Sequence, residues 1–213
     1  MRALYRNDTL KGQRPFILLQ KQLTCPRQKV AAAPGHAFPT PGTSHTSGTG
    51  AASPGTVTHA VTLQGGQLTW AVFSGAKRVE NRDFRFKPGW YAVHTGAKTS
   101  SPESQRPLLA ALDGVPPESS LPHSAIVGAI FISHALSMEQ CRSHEPWAFG
   151  PVVNVIQALC RLARPAPHKG ALSIWTIDDG PKHDMQAQLA AATVFYNDVT
   201  HLPPALDAQT PQP

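Results

Sequence analysis

The chain has 213 residues and a formal net charge of +6, and it contains 21 prolines and 16 glycines. The whole net charge lies in residues 1–56, which hold seven Lys or Arg residues and one acid, whereas the remainder is neutral. A neutral folded part excludes nucleic-acid binding through a global positive field, so any such surface must be a local basic patch. Three widely spaced cysteines without a C-x-x-C motif argue against a disulfide framework, and no apolar run is long enough to span a membrane.

The first 56 residues are predicted to form a disordered basic tail. Residues 1–30 are basic around a short apolar patch, Phe16–Leu19, and residues 31–56 are rich in Ala, Pro, Gly, Ser and Thr. Such segments cannot bury enough apolar surface to offset their conformational entropy. Two interpretations stay open: a plain solvated tail, or an Arg-rich, acid-poor transit peptide. We therefore expect an intracellular protein of the cytoplasm or nucleus, or of an organelle if the tail is a targeting segment.

The rest of the chain predicts a mostly β (α+β) domain with short peripheral helices. Strands are predicted over 56–63, 75–82, 90–94, 125–133, 152–162 and 171–177. Helices are predicted over 67–74, 103–112, 137–142 and 184–196. Gly75 should end the first helix, and Ser137 with Gln140 should form a capping box at the third. Residues 152–162 also fit a helix, and this alternative stays open from periodicity alone.

The densest charge cluster follows the first predicted helix. Residues 77–87 hold five basic residues and two acids. In an extended segment Arg78, Glu80 and Arg82 share one face, and Lys77 precedes them directly. Such a group is a pre-paired charged site in which arginine offers fixed, fork-like donors and lysine a mobile charge. The residues alone leave a second interpretation open, an ordinary surface ion pair worth at most about 1 kcal/mol.

A family resemblance begins at this cluster. Gly75, Lys77, Glu80 and Arg82 form the pattern Gly-x-Lys-x-x-Glu-x-Arg, which resembles the signature of ASCH domains, small β-barrels of the PUA-like superfamily. Further segments are similar to ASCH segments in the same order, at residues 92–97, 126–130, 146–151 and 169–175. The resemblance covers about residues 57–178 and implies a PUA-like β-barrel closed by the strand 171–177. It favours a strand over 152–162, and it leaves residues 179–213 as a C-terminal helix and a loose tail.

The resemblance implies a binding module for RNA or for a modified nucleobase or nucleotide. The ligand-binding candidates are Lys77, Glu80, Arg82, His94, Thr95 and Trp147. Trp70, Trp90 and Trp147 offer surfaces for base stacking, but core packing is favoured for Trp90 and Trp175. His134, Cys141 and His144 match no common zinc spacing. No metal, no cofactor and no membrane partner is therefore expected.

Two other classes of function stay open. Some ASCH proteins are amidohydrolases that deacylate N4-acylated cytidine with a lysine, a nearby threonine and a later glutamate. Lys77 matches the lysine and would be the catalytic residue, but Glu80 occupies the threonine position. Glu139 and Glu145 are the candidates for the later glutamate. This departure favours a binder over an enzyme, and a protein-interaction or coregulator module is the third class.

Overall fold

One seven-stranded sheet dominates the computed structural model, which describes residues 53–141 and 145–204. The strands are β1 (His59–Leu63), β2 (Val79–Arg82), β3 (Gly89–Thr95), β4 (Ala125–Ser137), β5 (Val152–Pro167), β6 (Ile174–Thr176) and β7 (Val194–Tyr196). The α-helices are α1 (Gly66–Phe73), α2 (Arg106–Ala110), α3 (Met138–Cys141) and α4 (Asp179–Ala190), and two 3-10 turns cover Glu103–Gln105 and Glu118–Ser120. No helix in these ranges is long and apolar enough to cross a membrane. The predicted β-rich fold with short helices is confirmed.

The strand order is β2-β5-β4-β3-β1-β6, and β7 is a further partner of β5. β1 and β3 pair in parallel, because α1 and β2 separate them along the chain, while the other pairs are antiparallel. The sheet is mixed, since it contains both parallel and antiparallel pairs. Within the described ranges β2 and β6 are its end strands and do not pair with each other, so the sheet is open there. Closure into a barrel stays a prediction.

The long strands β4 and β5 form the centre of the sheet. They pair over most of their lengths, with register shifts near Ile126, Phe131 and Ile132. Such bulges bend a strand pair and increase its twist. Residues 152–162 therefore form a strand, as the resemblance favoured, and the strand continues to Pro167.

Helix α1 is buried nearly all round, as expected of a helix without a polar face. Its Phe73 ring lies so close to Gly128 of β4 that a Cβ there would stand 2.6 Å from the ring. The helix ends where predicted, because Gly75 adopts a φ of 77°. Residues 137–142 also begin as predicted: the Ser137 amide donates to Gln140 Oε1 at 2.8 Å, and the Gln140 amide donates to Ser137 Oγ at 3.3 Å.

The C-terminal helix differs from its prediction over 184–196. Helix α4 begins at Asp179 and ends at Ala190, and Tyr196 belongs to β7 instead. β-Branched and aromatic residues favour strands, and β7 places Val194, Phe195 and Tyr196 opposite β5. The helical assignment of these three residues was wrong because pairing with β5 outweighs the local pattern. Met185 and Leu189 of α4 are buried against the sheet.

The predicted tails fall mostly outside the described residues. Of the predicted disordered segment 1–56, only residues 53–56 are described, and Pro54 among them is buried. Of the predicted loose tail after Thr200, residues up to 204 are described, and Leu202 packs in the core. Residues 142–144, which include His144, also lie outside.

Candidate functional site

The charged motif lies where the chain leaves α1 and enters β2. Lys77 is fully buried, and its backbone amide donates to the Ala71 carbonyl at 2.9 Å. Its ammonium donates to the Val79 carbonyl and to Glu80 Oε2, the latter at 2.8 Å. A buried ammonium needs such partners, because an isolated charge is costly to remove from water. Lys77 therefore contacts the Glu80 carboxylate from the interior of the protein.

Glu80 links two cations. Its Oε1 lies 3.0 Å from Arg82 Nε, while Oε2 receives the Lys77 ammonium, and the residue is only 5% exposed. Arg82 Nη2 donates to the Thr62 carbonyl at 2.9 Å, which fixes the guanidinium against the end of β1. The pairing of Lys77, Glu80 and Arg82 is therefore a defined ion network.

Arg78 does not belong to this network, so its predicted place beside Glu80 was wrong. Its Nε donates to the Gly75 carbonyl at 3.1 Å, and its Nη1 donates to the Asp198 carbonyl at 2.8 Å. Arg78 precedes the first residue of β2, and the strand alternation used for the prediction does not reach it. Its side chain instead binds the segment that follows β7.

Asn154 supports the network, and sequence reasoning did not identify it. It lies opposite Glu80 on β5 and is fully buried. Its amide donates to the Glu80 carbonyl at 3.2 Å, and its Oδ1 accepts from the Phe86 amide at 2.9 Å. Asn154 thus pins β2 and the loop after it. The sequence does contain a signal for Asn154, because it is the one polar residue in the apolar run Val152–Ile156, and a polar side chain in a buried strand needs hydrogen-bond partners.

A cavity of about 550 Å³ opens beside Glu80, Arg82 and His94, three of the six predicted ligand-binding residues. Its other walls come from the end of β1, from α1 and β2, from the loop after β3, from residues 102–105, from the residue before β4 and from residues 169–173. They include Thr62, Leu63, Gln64, Leu68, Asn81, Gly96, Ala97, Lys98, Pro102, Gln105, Ser124, Lys169, Gly170, Ala171, Leu172 and Ser173. The lining holds three cations and one acid. Its size fits a small organic ligand.

His94 lines this cavity, and its hydrogen bonding fixes the tautomer of the ring. Its Nε2 lies 2.9 Å from the His168 carbonyl, which can only accept, so Nε2 carries the hydrogen. Burial lowers the pKa of His94 below its ordinary value, outweighing the opposing effect of this hydrogen bond. The ring is therefore neutral near pH 7. Its Nδ1 is buried without a hydrogen-bond partner in the part of the chain that the structure describes.

Gly170 packs closely against the His94 ring. A Cβ at this position would stand 2.3 Å from His94 Nδ1 and 2.9 Å from Thr62 Oγ1. Thr62 in turn donates from Oγ1 to the Ala171 carbonyl at 2.8 Å, which fastens this wall to β1. Residues 171–173, predicted as part of the last strand, therefore form cavity wall, and only Ile174–Thr176 pairs with β1. Sequence reasoning missed the role of Gly170.

Gln105 adds a second buried polar group. It is 8% exposed, and its side-chain Oε1 has no hydrogen-bond partner among residues 53–141 and 145–204. Because an amide both donates and accepts, Gln105 can adapt to either kind of ligand atom. No sequence signal marked this residue, which belongs to a short helical turn.

The remaining predicted site residues do not line the cavity. Lys77 lies behind Glu80. Thr95 is fully buried and donates from Oγ1 to Thr69 Oγ1 at 3.2 Å. Trp147 is 3% exposed in a core cluster with Trp70, and its carbonyl accepts from Asn81 Nδ2 at 2.8 Å. Neither tryptophan offers a free stacking surface.

The tryptophans expected in the core lie at its edge. Trp90 and Trp175 are partly buried and pack against the same core cluster. Trp175 donates from Nε1 to Thr62 Oγ1 at 3.1 Å, and its ring stacks on His168 with centroids 4.7 Å apart. Trp175 thus braces the wall of the cavity from outside.

The structure describes two of the three cysteines, and both are free thiols. Cys141 and Cys160 are fully buried, and burial raises the pKa of both thiols, to about 11 for Cys160. Among the described residues no group of three His, Cys, Asp or Glu side chains could hold a metal ion. His144 of the weighed zinc set lies outside those residues.

No family model matches the chain, and no similar protein is found among the curated ones.

Proposed function

We propose that this chain is an ASCH-like module, with a PUA-like barrel, that binds RNA or a modified nucleobase or nucleotide in the 550 Å³ cavity. The observation that carries the proposal is the cavity itself, which combines three cations with buried, prearranged hydrogen-bonding groups. The motif that resembles the ASCH signature supplies Glu80 and Arg82 to its wall and Lys77 behind it.

The hydrogen-bonding groups suit the edge of a base. Glu80 can accept, the neutral His94 carries an acceptor at Nδ1, Gln105 can do either, and the Arg82 guanidinium is a donor. A base edge carries N–H donors beside carbonyl or ring-nitrogen acceptors. Because the ion network holds Glu80 and Arg82 and the His168 carbonyl holds His94, these three side chains need little ordering when a ligand binds.

The amidohydrolase alternative finds less support. The Lys77 ammonium is covered, donates to two fixed acceptors and does not line the cavity. A catalytic base must reach the reacting atoms. A lysine in this position supports Glu80 and does not reach a substrate in the cavity. We therefore expect binding without turnover.

Titration of the full chain with nucleosides, 5′-mononucleotides and short single-stranded RNA, by isothermal calorimetry, tests the proposal. Glu80→Thr removes the carboxylate acceptor and the counter-charge of Arg82, so we expect it to weaken binding by about 1–3 kcal/mol. Glu139→Thr is the matched control, because Glu139 is exposed and lies outside the cavity. Absence of binding to the whole panel would refute the proposal.

A second assay separates binder from enzyme. The wild type and Lys77→Ala are incubated with N4-acetylcytidine, and released acetate is measured. We expect no release by either protein. Turnover by the wild type that disappears in Lys77→Ala would replace the binding module by an amidohydrolase.

A further inference from the structure

The charges of the cavity are sorted by depth. The buried groups are Glu80, His94 and Gln105, each less than one tenth exposed, and they offer mainly acceptor atoms. Lys98 and Lys169 are exposed on separate loops, after β3 and before β6, and both line the cavity. Neither ammonium forms a salt bridge with any described residue. Positive charge without a partner therefore lies at the mouth, and acceptors lie inside.

This arrangement orients a ligand. An anionic group deep in the cavity would be repelled by the Glu80 carboxylate. Lys77 and Arg82, the two cations beside this carboxylate, are already paired with it and would not neutralise a second anion. The same group at the mouth would meet two lysines that are point charges on flexible stems, which suits a phosphate. The inner acceptors, in turn, call for N–H donors of the kind a base carries.

Resting on the proposed function, we infer that Lys98 and Lys169 form a phosphate subsite, so that the ligand is a phosphate-bearing nucleotide with its base inside and its phosphate at the mouth. The phosphate belongs either to a free mononucleotide or to the backbone of an RNA strand. Both sources offer the same chemistry to the two lysines.

The test compares affinities of the full chain for a nucleoside and for its 5′-monophosphate at one low salt concentration. Two exposed charge contacts should make the monophosphate bind about tenfold more tightly. In Lys98→Ala/Lys169→Ala this ratio should fall to about one. The control Lys87→Ala/Lys182→Ala changes the net charge equally at exposed or half-exposed sites outside the cavity and should keep the ratio.

The ratio isolates the subsite from other effects. The phosphate subsite would be overturned if the wild type bound the 5′-monophosphate no more tightly than the nucleoside, or if its preference for the monophosphate persisted in Lys98→Ala/Lys169→Ala. In either case, binding of the nucleoside would leave the proposed function intact. A ratio lost equally in the control would also overturn it, because the effect would then come from net charge. Failure of nucleoside, mononucleotide and RNA alike would instead remove the proposed function.

Further ligands distinguish the two phosphate sources. A 3′-monophosphate and a trinucleotide RNA of the same base are titrated beside the 5′-monophosphate. An RNA ligand predicts that the trinucleotide binds at least as tightly as the best mononucleotide and loses affinity in Lys98→Ala/Lys169→Ala. A free nucleotide ligand predicts that the trinucleotide binds more weakly. A trinucleotide affinity insensitive to both lysines, together with an unchanged mononucleotide ratio, contradicts the subsite for either source.

Discussion

Replacing Glu80 by Gln should show how much the buried ion network contributes to the free energy of unfolding. The Lys77 side chain is 0% exposed and that of Glu80 is 7% exposed, so the change would leave a buried ammonium without its counter-charge. Breaking such a pair costs about 3–5 kcal/mol. The Val79 carbonyl and the new amide oxygen can still accept from Lys77, so we expect about 3 kcal/mol, the lower end of that range.

A double-mutant cycle separates this cost from lost packing. Lys77→Met alone should cost less, about 1–3 kcal/mol, because Glu80 keeps Arg82 as a partner. The variant with both changes leaves no unpaired buried charge, so its loss should fall short of the sum of the two single losses by about 2 kcal/mol.

The measurement is urea unfolding at pH 7, with the free energy taken from midpoint and slope. Asp184→Asn is the matched control, because the Arg164–Asp184 pair has side chains 76% and 59% exposed, and it should change the free energy of unfolding by less than about 1 kcal/mol. Additive losses in the cycle, or a Glu80→Gln loss no larger than that of the control, would refute the reasoning.

Three other predictions follow from single residues. Gly170→Ala would push a Cβ against His94, so we expect a loss of about 1–3 kcal/mol and weaker ligand binding, and an unchanged melting temperature would contradict the close packing. The pKa of His94 in the folded chain lies below its ordinary value of 6.5, so below about pH 6.5 the unfolded chain binds more protons at this residue than the folded chain does. The contribution of neutral His94 to the free energy of unfolding is therefore full above about pH 6.5 and is lost as the pH falls towards the folded pKa. Urea unfolding at pH 7.5 and pH 5 should therefore show a smaller acid loss in His94→Gln than in the wild type, and equal losses would be evidence against this origin. In a Cys25→Ser background a thiol reagent should modify neither Cys141 nor Cys160 until denaturant is added, since both are buried and the pKa of Cys160 is about 11, and one fast-reacting equivalent in native buffer would contradict this.

Local rules predicted the parts of the fold that depend on neighbouring residues. Gly75 ends α1 because its own φ is positive, and Ser137 with Gln140 caps α3 within one turn. For residues 194–196 the same local rules predicted a helix, and the structure has a strand there. Their alanine-rich surroundings continue a helical pattern, but β5 offers a strand edge that no local window contains.

The candidate site divides in the same way. Glu80 and Arg82 are two residues apart on one strand, so their pairing could be predicted from alternation alone. Lys98 and Lys169 meet at one cavity only because β1 pairs with both β3 and β6. Trp147 was predicted as a stacking surface, but its burial depends on distant apolar residues that pack around it.

The pairing of β2 has a consequence for how the protein is made. In the described sheet β2 pairs only with β5, and Asn154, which pins the Glu80 backbone, lies 74 residues further along the chain. Loops of this length close slowly compared with local hairpins, and a nascent chain is extended from its N-terminus at about 5–20 residues per second. Lys77 and Glu80 therefore leave the ribosome several seconds before their strand can be ordered, and a chain that terminates before Val152 would lack the partner strand on which the cavity depends.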